Sequence, residues 1–313
     1  MAKLLVIFGA TGQQGGSVLN FVLNDPELSK EYTIRAITRD ITSAKAEALK
    51  NKSVEVVTAD TTDPSSLSAA LKGAHTVFFL TAPTLGPNAK QHEITQGHAV
   101  ADVAVSEGVQ YLIFSTLPHV ERVSGGKYTK VSGFDAKAEV EEYIRTLPIK
   151  SAFFAPGSFM QNFHSMTVPQ PSWKKDGTYM IARPMSPQTQ LPLIDTAGNT
   201  GKYVGAILAE PDKYEGKVFC AATALYTMEE MAEIIGKVSA KTVVYQQVPE
   251  EQFRQFLPQN GFADILIEMM LYQQDFGYYG PGTKEKVAWA VENARGKVNT
   301  FEEYLKENPL SFS

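Results

Sequence analysis

The chain has little with which to form a disulfide, grip a metal or cross a membrane. One cysteine, Cys220, in 313 residues rules out an intrachain disulfide. A lone thiol in an apolar strand-like run reads as a small buried hydrophobe, which suits a reducing compartment. Five scattered histidines offer no ligand spacing, so no metal is expected. Lys and Arg number 29 against 34 Asp and Glu, a formal net charge of -5. Gripping a nucleic-acid backbone needs a clustered basic excess, so direct nucleic-acid binding is disfavoured. No apolar run approaches the roughly 20 residues of a membrane span, and 4–8 is too short for a secretory signal. The expected location is the cytoplasm, and the nucleus too where a protein partner carries the chain.

What is present is a globular α/β pattern. At 43% hydrophobic and 20% charged, the composition leaves enough apolar side chains for a buried core. Short β-rich runs recur at 4–8, 32–39, 54–59, 76–82, 111–116 and 151–156. Helical spacing lies between them at 16–23, 42–50, 64–72, 88–107 and 134–146. Runs that are apolar on both faces and alternate with helices predict a doubly wound parallel sheet of Rossmann type. Asp63 and Pro64 supply a cap and a first-turn proline. Beyond residue 156 the texture changes: the proline-rich stretch 157–192 predicts irregular backbone that covers a site. Helices are expected at 226–240 and 250–272, with a last one near 299–307. The stripe "ILIEMMLYQQDF" at 265–276 reads as core that roofs a cleft. The expected division is a Rossmann domain over 1–156 and a smaller C-terminal α/β lobe over 157–313, in which 191–222 returns to the core sheet.

The segment "VIFGATGQQGGSV" carries the strongest motif. Gly9, Gly12 and Gly15 follow a predicted strand and open a predicted helix, the context a dinucleotide turn requires. Gly9 permits the tight turn, Gly12 admits a pyrophosphate to the backbone, and Gly15 lets helix and sheet pack closely. Thr11, Gln13 and Gln14 complete the turn, where helix amides face an anion. The second strand ends "AITRD". An acidic residue there would bond both ribose hydroxyls, whereas the guanidinium of Arg39 matches a 2′-phosphate and favours NADP(H). Lys45 is a candidate second charge, or a solvated lysine. Asp60 and Thr61 follow the third strand, where an adenine edge would lie, although Asp60 also reads as a turn former. Thr81, Ala82 and Pro83 end the fourth strand where a ribose would lie.

With "GATGQQGGSV", "AITRD", "GFDAKAEVEEY" and "PGSFMQNF" in order, the chain resembles the NmrA-like family of atypical short-chain dehydrogenase/reductases, from residue 3 to about residue 305. The resemblance implies a Rossmann fold that binds NADP(H). It implies one of two activities: a redox-sensing regulator acting through protein partners, or a reductase of small quinones, carbonyls or imines. Lys137 matches the family lysine and is the one candidate catalytic residue; it would also bond the nicotinamide ribose. Pro156, Phe159 and Asn162 fall in the stretch that, by the same likeness, covers the nicotinamide end.

A short-chain reductase normally places a tyrosine four residues before its lysine, because that spacing sets both on one helix face and lets the ammonium lower the phenol's pKa. Here Gly133 holds that place. Tyr128 follows Ser115 at an attractive interval, but Ser132 lies where its lysine should be. Ser115 is a candidate cofactor contact, and Thr116, Tyr128, His119 and His164 are candidate pocket residues, the histidines as substitute proton donors. The missing pair narrowly favours a sensor over an NADPH-dependent reductase.

Overall fold

The computed structural model describes residues 2–52, 54–82, 86, 88–174, 176–258 and 261–312. The strands, in chain order, are β1 (Lys3–Ile7), β2 (Tyr32–Thr38), β3 (Glu55–Thr58), β4 (Thr76–Phe79), β5 (Tyr111–Ser115) and β6 (Lys150–Pro156). There follow β7 (Ser158–Phe159), β8 (Gln170–Pro171), β9 (Tyr179–Arg183), β10 (Gln190–Ile194), β11 (Val218–Ala221), β12 (Ala224–Thr227) and β13 (Val243–Gln247). Seven of them form one parallel sheet in the order β11-β6-β5-β4-β1-β2-β3.

Alternation along the first strand explains why this sheet is covered on both faces. Leu5 and Ile7 enter one apolar core with the helices Gln13–Asn24 and Thr196–Ala209. Val6 and the following Phe8 enter another with Pro64–Leu71, Ala89–Ser106 and Ser132–Ile144. Period-2 alternation therefore delivers side chains to two layers, and both sets must be apolar. Strand order reverses between β1 and β4, which opens the crevice at the carboxyl ends where α/β sheets bind ligands.

The first-half helices begin where the sequence signals place them. Ser43 accepts a bond from the Ala46 amide to cap Ala44–Lys50. Asp63 caps Pro64–Leu71 from one residue before the proline. In the second half the sequence expectation and the structure differ more. Residues 157–192 hold the 3-10 turn Met160–His164 and the strands β7 to β10, so the stretch is more ordered than an irregular cover. These strands build two small sheets, β12-β10-β7 and β13-β9-β8. Within 191–222, only β11 joins the main sheet, beside β6; β10 centres one of the small ones. The helix expected over 250–272 is two, Glu250–Arg254 and Phe262–Phe276. Pro258 lacks an amide donor, and Gly261 caps the second helix at a φ of 79°. The stripe at 265–276 buries Ile267, Met270 and Tyr272. The final helix, Phe301–Glu307, opens on a capping box formed by Thr300 and Glu303.

Candidate functional site

The glycine turn stands at the carboxyl end of β1. Gly9 adopts φ 62°, a left-handed conformation open to glycine at no steric cost. A Cβ on Gly15 would lie 2.5 Å from the Gly9 carbonyl oxygen and 2.6 Å from that of Phe8, so only a hydrogen lets the helix begin this close to the strand. Gly12 closes the turn by donating its amide to the Gly9 carbonyl at 2.8 Å. The helix Gln13–Asn24 has no acidic residue in its first turn and, unlike the helices capped by Ser43, Asp63 and Asp195, no side-chain cap. Gly9, Gly12 and Gln13 are exposed. The turn thus presents unopposed amides and the positive dipole end of a helix to the crevice, the donor set a pyrophosphate needs.

On the β2 side, Arg39 is exposed and has no hydrogen bond or ion pair among the described residues. Lys45 reaches back to the Thr11 carbonyl at 3.4 Å, which sets its ammonium beside the glycine turn. Asp40 is occupied locally: its carboxylate accepts the Thr42 hydroxyl at 2.6 Å and amide at 2.8 Å, and these bonds hold it below the usual carboxylate range. Asp60 is a turn former in the same way, its carboxyl kept low by the Thr62 hydroxyl and amide. Thr61, beside it, is half-buried.

The β4–β5 side is built differently. The Ser115 hydroxyl donates to Gln14 Oε1 at 2.8 Å, tying the end of β5 to the first turn of the glycine helix. Thr81, just past β4, donates its hydroxyl to Glu93 Oε1 at 2.6 Å. Lys137 Nζ pairs with the same carboxylate oxygen, in a pair with 13% and 2% side-chain exposure. Helix packing explains how these two meet. A Cβ on Gly97 would lie 2.5 Å from Val140 Cγ2, so glycine lets Ala89–Ser106 and Ser132–Ile144 touch there. Glu93 and Lys137 each lie about one turn earlier on the two helices. Thr116 is buried and directs its hydroxyl at the Lys137 and Leu117 carbonyls, each at 3.4 Å. Ala82 is exposed, and Pro83 lies outside the described residues.

The other sequence candidates have partners within the chain. His119 Nδ1 sits 3.2 Å from buried Asp135, and its Nε2 is 3.6 Å from Glu139. Burial pushes the Asp135 carboxyl up, opposed by that imidazole and by the Glu121 amide bonded to it. Tyr128 is buried and donates its hydroxyl to Asp275 at 2.7 Å, with its ring edge-on to Tyr272 and Phe276. Lys127 pairs with that same aspartate, and Glu268 accepts the Thr129 and Lys130 amides at 2.8 Å each. Burial raises the Tyr128 phenol above its ordinary value, with Asp275 adding to the effect. His164 is exposed and packs edge-on against Tyr304 of the final helix. Pro156 ends β6, and Phe159 lies half-buried against the first core. The Asn162 carbonyl accepts the Ser165 and Thr167 amides. Its neighbour Gln161 bonds Asp195 at 2.8 Å and accepts the Thr196 amide.

Glu93, Asp135 and Asp275 escaped the sequence reading. For Glu93 a signal was available: it shares the buried face of its helix with Gly97, Val100 and Ala104, and a carboxylate on an apolar face needs a partner. Cys220 is buried, and burial pushes its thiol up to about 12, an inert group. A cavity of about 250 Å³ opens at the opposite, amino edge of the sheet, lined by Lys3, Tyr32, His75, Tyr111 and Lys150. It lies away from the glycine turn, and the ammoniums of Lys3 and Lys150 are already paired with Glu31 and Asp212. No group of three His, Cys, Asp or Glu among the described residues could hold a metal, and no described helix is long and apolar enough to cross a membrane.

Comparison with known proteins places this architecture. The NmrA-like family model matches residues 1–305. An NmrA-like family domain-containing protein of Dictyostelium discoideum is 30% identical, over 98% of both chains. The NmrA-like family domain-containing oxidoreductase ptmS of Penicillium ochrochloron is 27% identical over 88% of this chain and 85% of that one. Among solved structures, NmrA, a negative transcriptional regulator in complex with NADP, has a TM-score of 0.81 at 22% identity over 98% of this chain and 95% of its own. Its complex with NAD gives 0.82 at the same identity and coverage. Identity that low shows the fold alone, whereas the family match spans nearly the whole sequence. This chain belongs to the NmrA-like family.

Proposed function

We propose that the chain binds NADP(H) along the carboxyl edge between β1 and β4 and acts as a redox-sensing regulator through a protein partner. The supporting observation is a contrast: the phosphate cradle is complete, while the proton-donating pair of a short-chain reductase is not. Gln13 to Gly15 offer amides to the pyrophosphate, and the Arg39 guanidinium, unpartnered among the described residues, selects a 2′-phosphate, with Lys45 beside it. Gly133 stands where a tyrosine would be, Tyr128 gives its hydroxyl to Asp275, and Lys137 is paired with Glu93. Lys137 and Thr81 would orient the second ribose. Bound nicotinamide would supply a hydride acceptor or donor, and its redox state would be the signal read.

A second reading rests on the Lys137 ammonium at this edge and on the fungal relative named an oxidoreductase. In it, the chain reduces a small carbonyl, quinone or imine with NADPH, and Lys137 stabilises negative charge that grows on the substrate. Calorimetric titration with NADPH, NADP, NADH and NAD, followed by a screen for consumption of the tightest, separates the two. The sensor predicts saturable binding without turnover. Brisk NADPH oxidation with a simple quinone, aldehyde or imine would replace it with the reductase, and no binding of any nucleotide would remove both.

A further inference from the structure

Among the described residues, the ion pair between Glu93 and Lys137 is the most buried pairing of a lysine or arginine with a carboxylate, and Gly133 leaves no tyrosine four residues before Lys137 to use it. Glu93 is 2% exposed and holds two donors on a single oxygen, the Thr81 hydroxyl and the Lys137 ammonium. Its helix is pressed against that of Lys137 at Gly97 and Val140, which fixes the spacing at which the two charged side chains meet. The pair lies beside Thr81, past the end of β4. A dinucleotide whose pyrophosphate rests on Gly12 to Gln14 would extend its nicotinamide half in this direction.

Oxidised and reduced nicotinamides differ by one positive charge on the ring. A neutral ion pair discriminates weakly between them, but either member alone would discriminate strongly, because buried charges are poorly screened. We infer that the Glu93–Lys137 pair sets the preference of the site between oxidised and reduced cofactor, with the Glu93 carboxylate favouring the cationic ring and the Lys137 ammonium opposing it. Glu93 is thus a positioning residue for Lys137 and a determinant of the redox set-point. This rests on the cofactor half of the reading above.

The test is the ratio of dissociation constants, Kd(NADP⁺)/Kd(NADPH), by calorimetry on the full chain. Glu93→Gln strands the ammonium and raises the ratio about tenfold, and Lys137→Met strands the carboxylate and lowers it about tenfold. The double variant returns it close to wild type. Glu93→Asp keeps the carboxylate but withdraws it by one methylene. It serves if the uncompensated charge unfolds the single variants, with an expected rise of about twofold. A merely structural role would weaken both nucleotides together and leave the ratio unchanged. An unchanged ratio in any folded, binding single variant overturns the inference and leaves the cofactor reading intact. Wild-type protein that binds neither nucleotide overturns the cofactor reading itself.

Discussion

The two halves of the candidate site are made in opposite ways. On the β2 side the groups offered to a ligand are spare: the turn amides have no side-chain cap, Arg39 has no partner among the described residues, and Lys45 touches one carbonyl at 3.4 Å. On the β4–β5 side every candidate side chain for which a contact is found already has one within the chain. Thr81 and Lys137 share Glu93, Ser115 bonds Gln14, His119 faces Asp135, and Tyr128 bonds Asp275. A half made of free donors is preorganised for one charged shape, so its energy comes from the ligand's phosphates. A half made of satisfied pairs can respond only by exchanging partners. Such exchange favours a switch over a fixed catalytic constellation, which supports the regulatory reading.

The largest effect that could break this contrast lies in the turn. Gly15→Ala puts a Cβ 2.5 Å from the Gly9 oxygen and 2.6 Å from the Gly9 carbonyl carbon, so backbone must move. The expected cost is about 3 kcal/mol by urea denaturation, with loss of nucleotide binding. A Gly15→Ala protein that binds as well as wild type would mean that the turn is not the rigid cradle described. The next effect isolates one spare donor. Arg39→Ala should weaken NADP(H) by about 10- to 100-fold, since a charge-assisted bond contributes roughly 1.5–3 kcal/mol, and should leave NAD(H) affinity as it was. Stability should stay within about 0.5 kcal/mol, because exposed Arg39 supports nothing in the fold. Equal loss for both nucleotide pairs in titration would show that it reads charge in general and not the 2′-phosphate.

That asymmetry also accounts for what the sequence made legible. Spare groups are announced by local pattern, since glycine spacing and the residue that ends β2 need no partner to be recognised. The parallel strands and caps of the first half are likewise local: continuous apolar runs, Ser43, and Asp63 before Pro64. Satisfied pairs are long-range. Glu93 and Lys137 stand 44 residues apart, and Tyr128 and Asp275 stand 147 apart, so neither partner could be named from its own neighbourhood. The small sheets of the second half failed for the same reason. β8 has two residues, and β9 meets β13 only after a long excursion, so neither strand's own neighbourhood announces its partner. Prolines 184, 187 and 192, read as breakers, lie around a strand that Pro192 itself belongs to.

A smaller effect sharpens the role of the locked half. Tyr128→Phe removes the donor to Asp275 while Lys127 stays on that carboxylate, so the expected loss is about 1 kcal/mol in urea denaturation. Nucleotide affinity should be unchanged. If instead a folded Tyr128→Phe protein lost an NADPH-consuming reaction that the wild type performs, the phenol would be a proton donor and Asp275 its resting partner. The raised phenol pKa, caused first by burial, argues against that outcome.

The smallest effect separates anchoring from binding. The helix that carries the glycine turn at its amino end is tied at its carboxyl end, where Asp25 accepts Arg295 at 2.8 Å and the Glu27 and Leu28 amides at 3.0 Å each. The Arg295 guanidinium is the main reason that the Asp25 carboxyl is lowered from 3.8 to about 2, against the opposing effect of burial. Because the folded value lies below the unfolded one, the contribution is present above about pH 4 and is lost as pH falls through about 2. Discounted for solvent screening, it amounts to about 1 kcal/mol. Asp25→Asn should therefore be less stable than wild type by a constant margin from pH 7 to about 5, and the margin should close on acidification toward pH 2. Nucleotide affinity at pH 7 should match wild type, since this contact stands a full helix length from the turn. A variant that loses affinity along with stability would show that the cradle depends on how its helix is anchored at the far end.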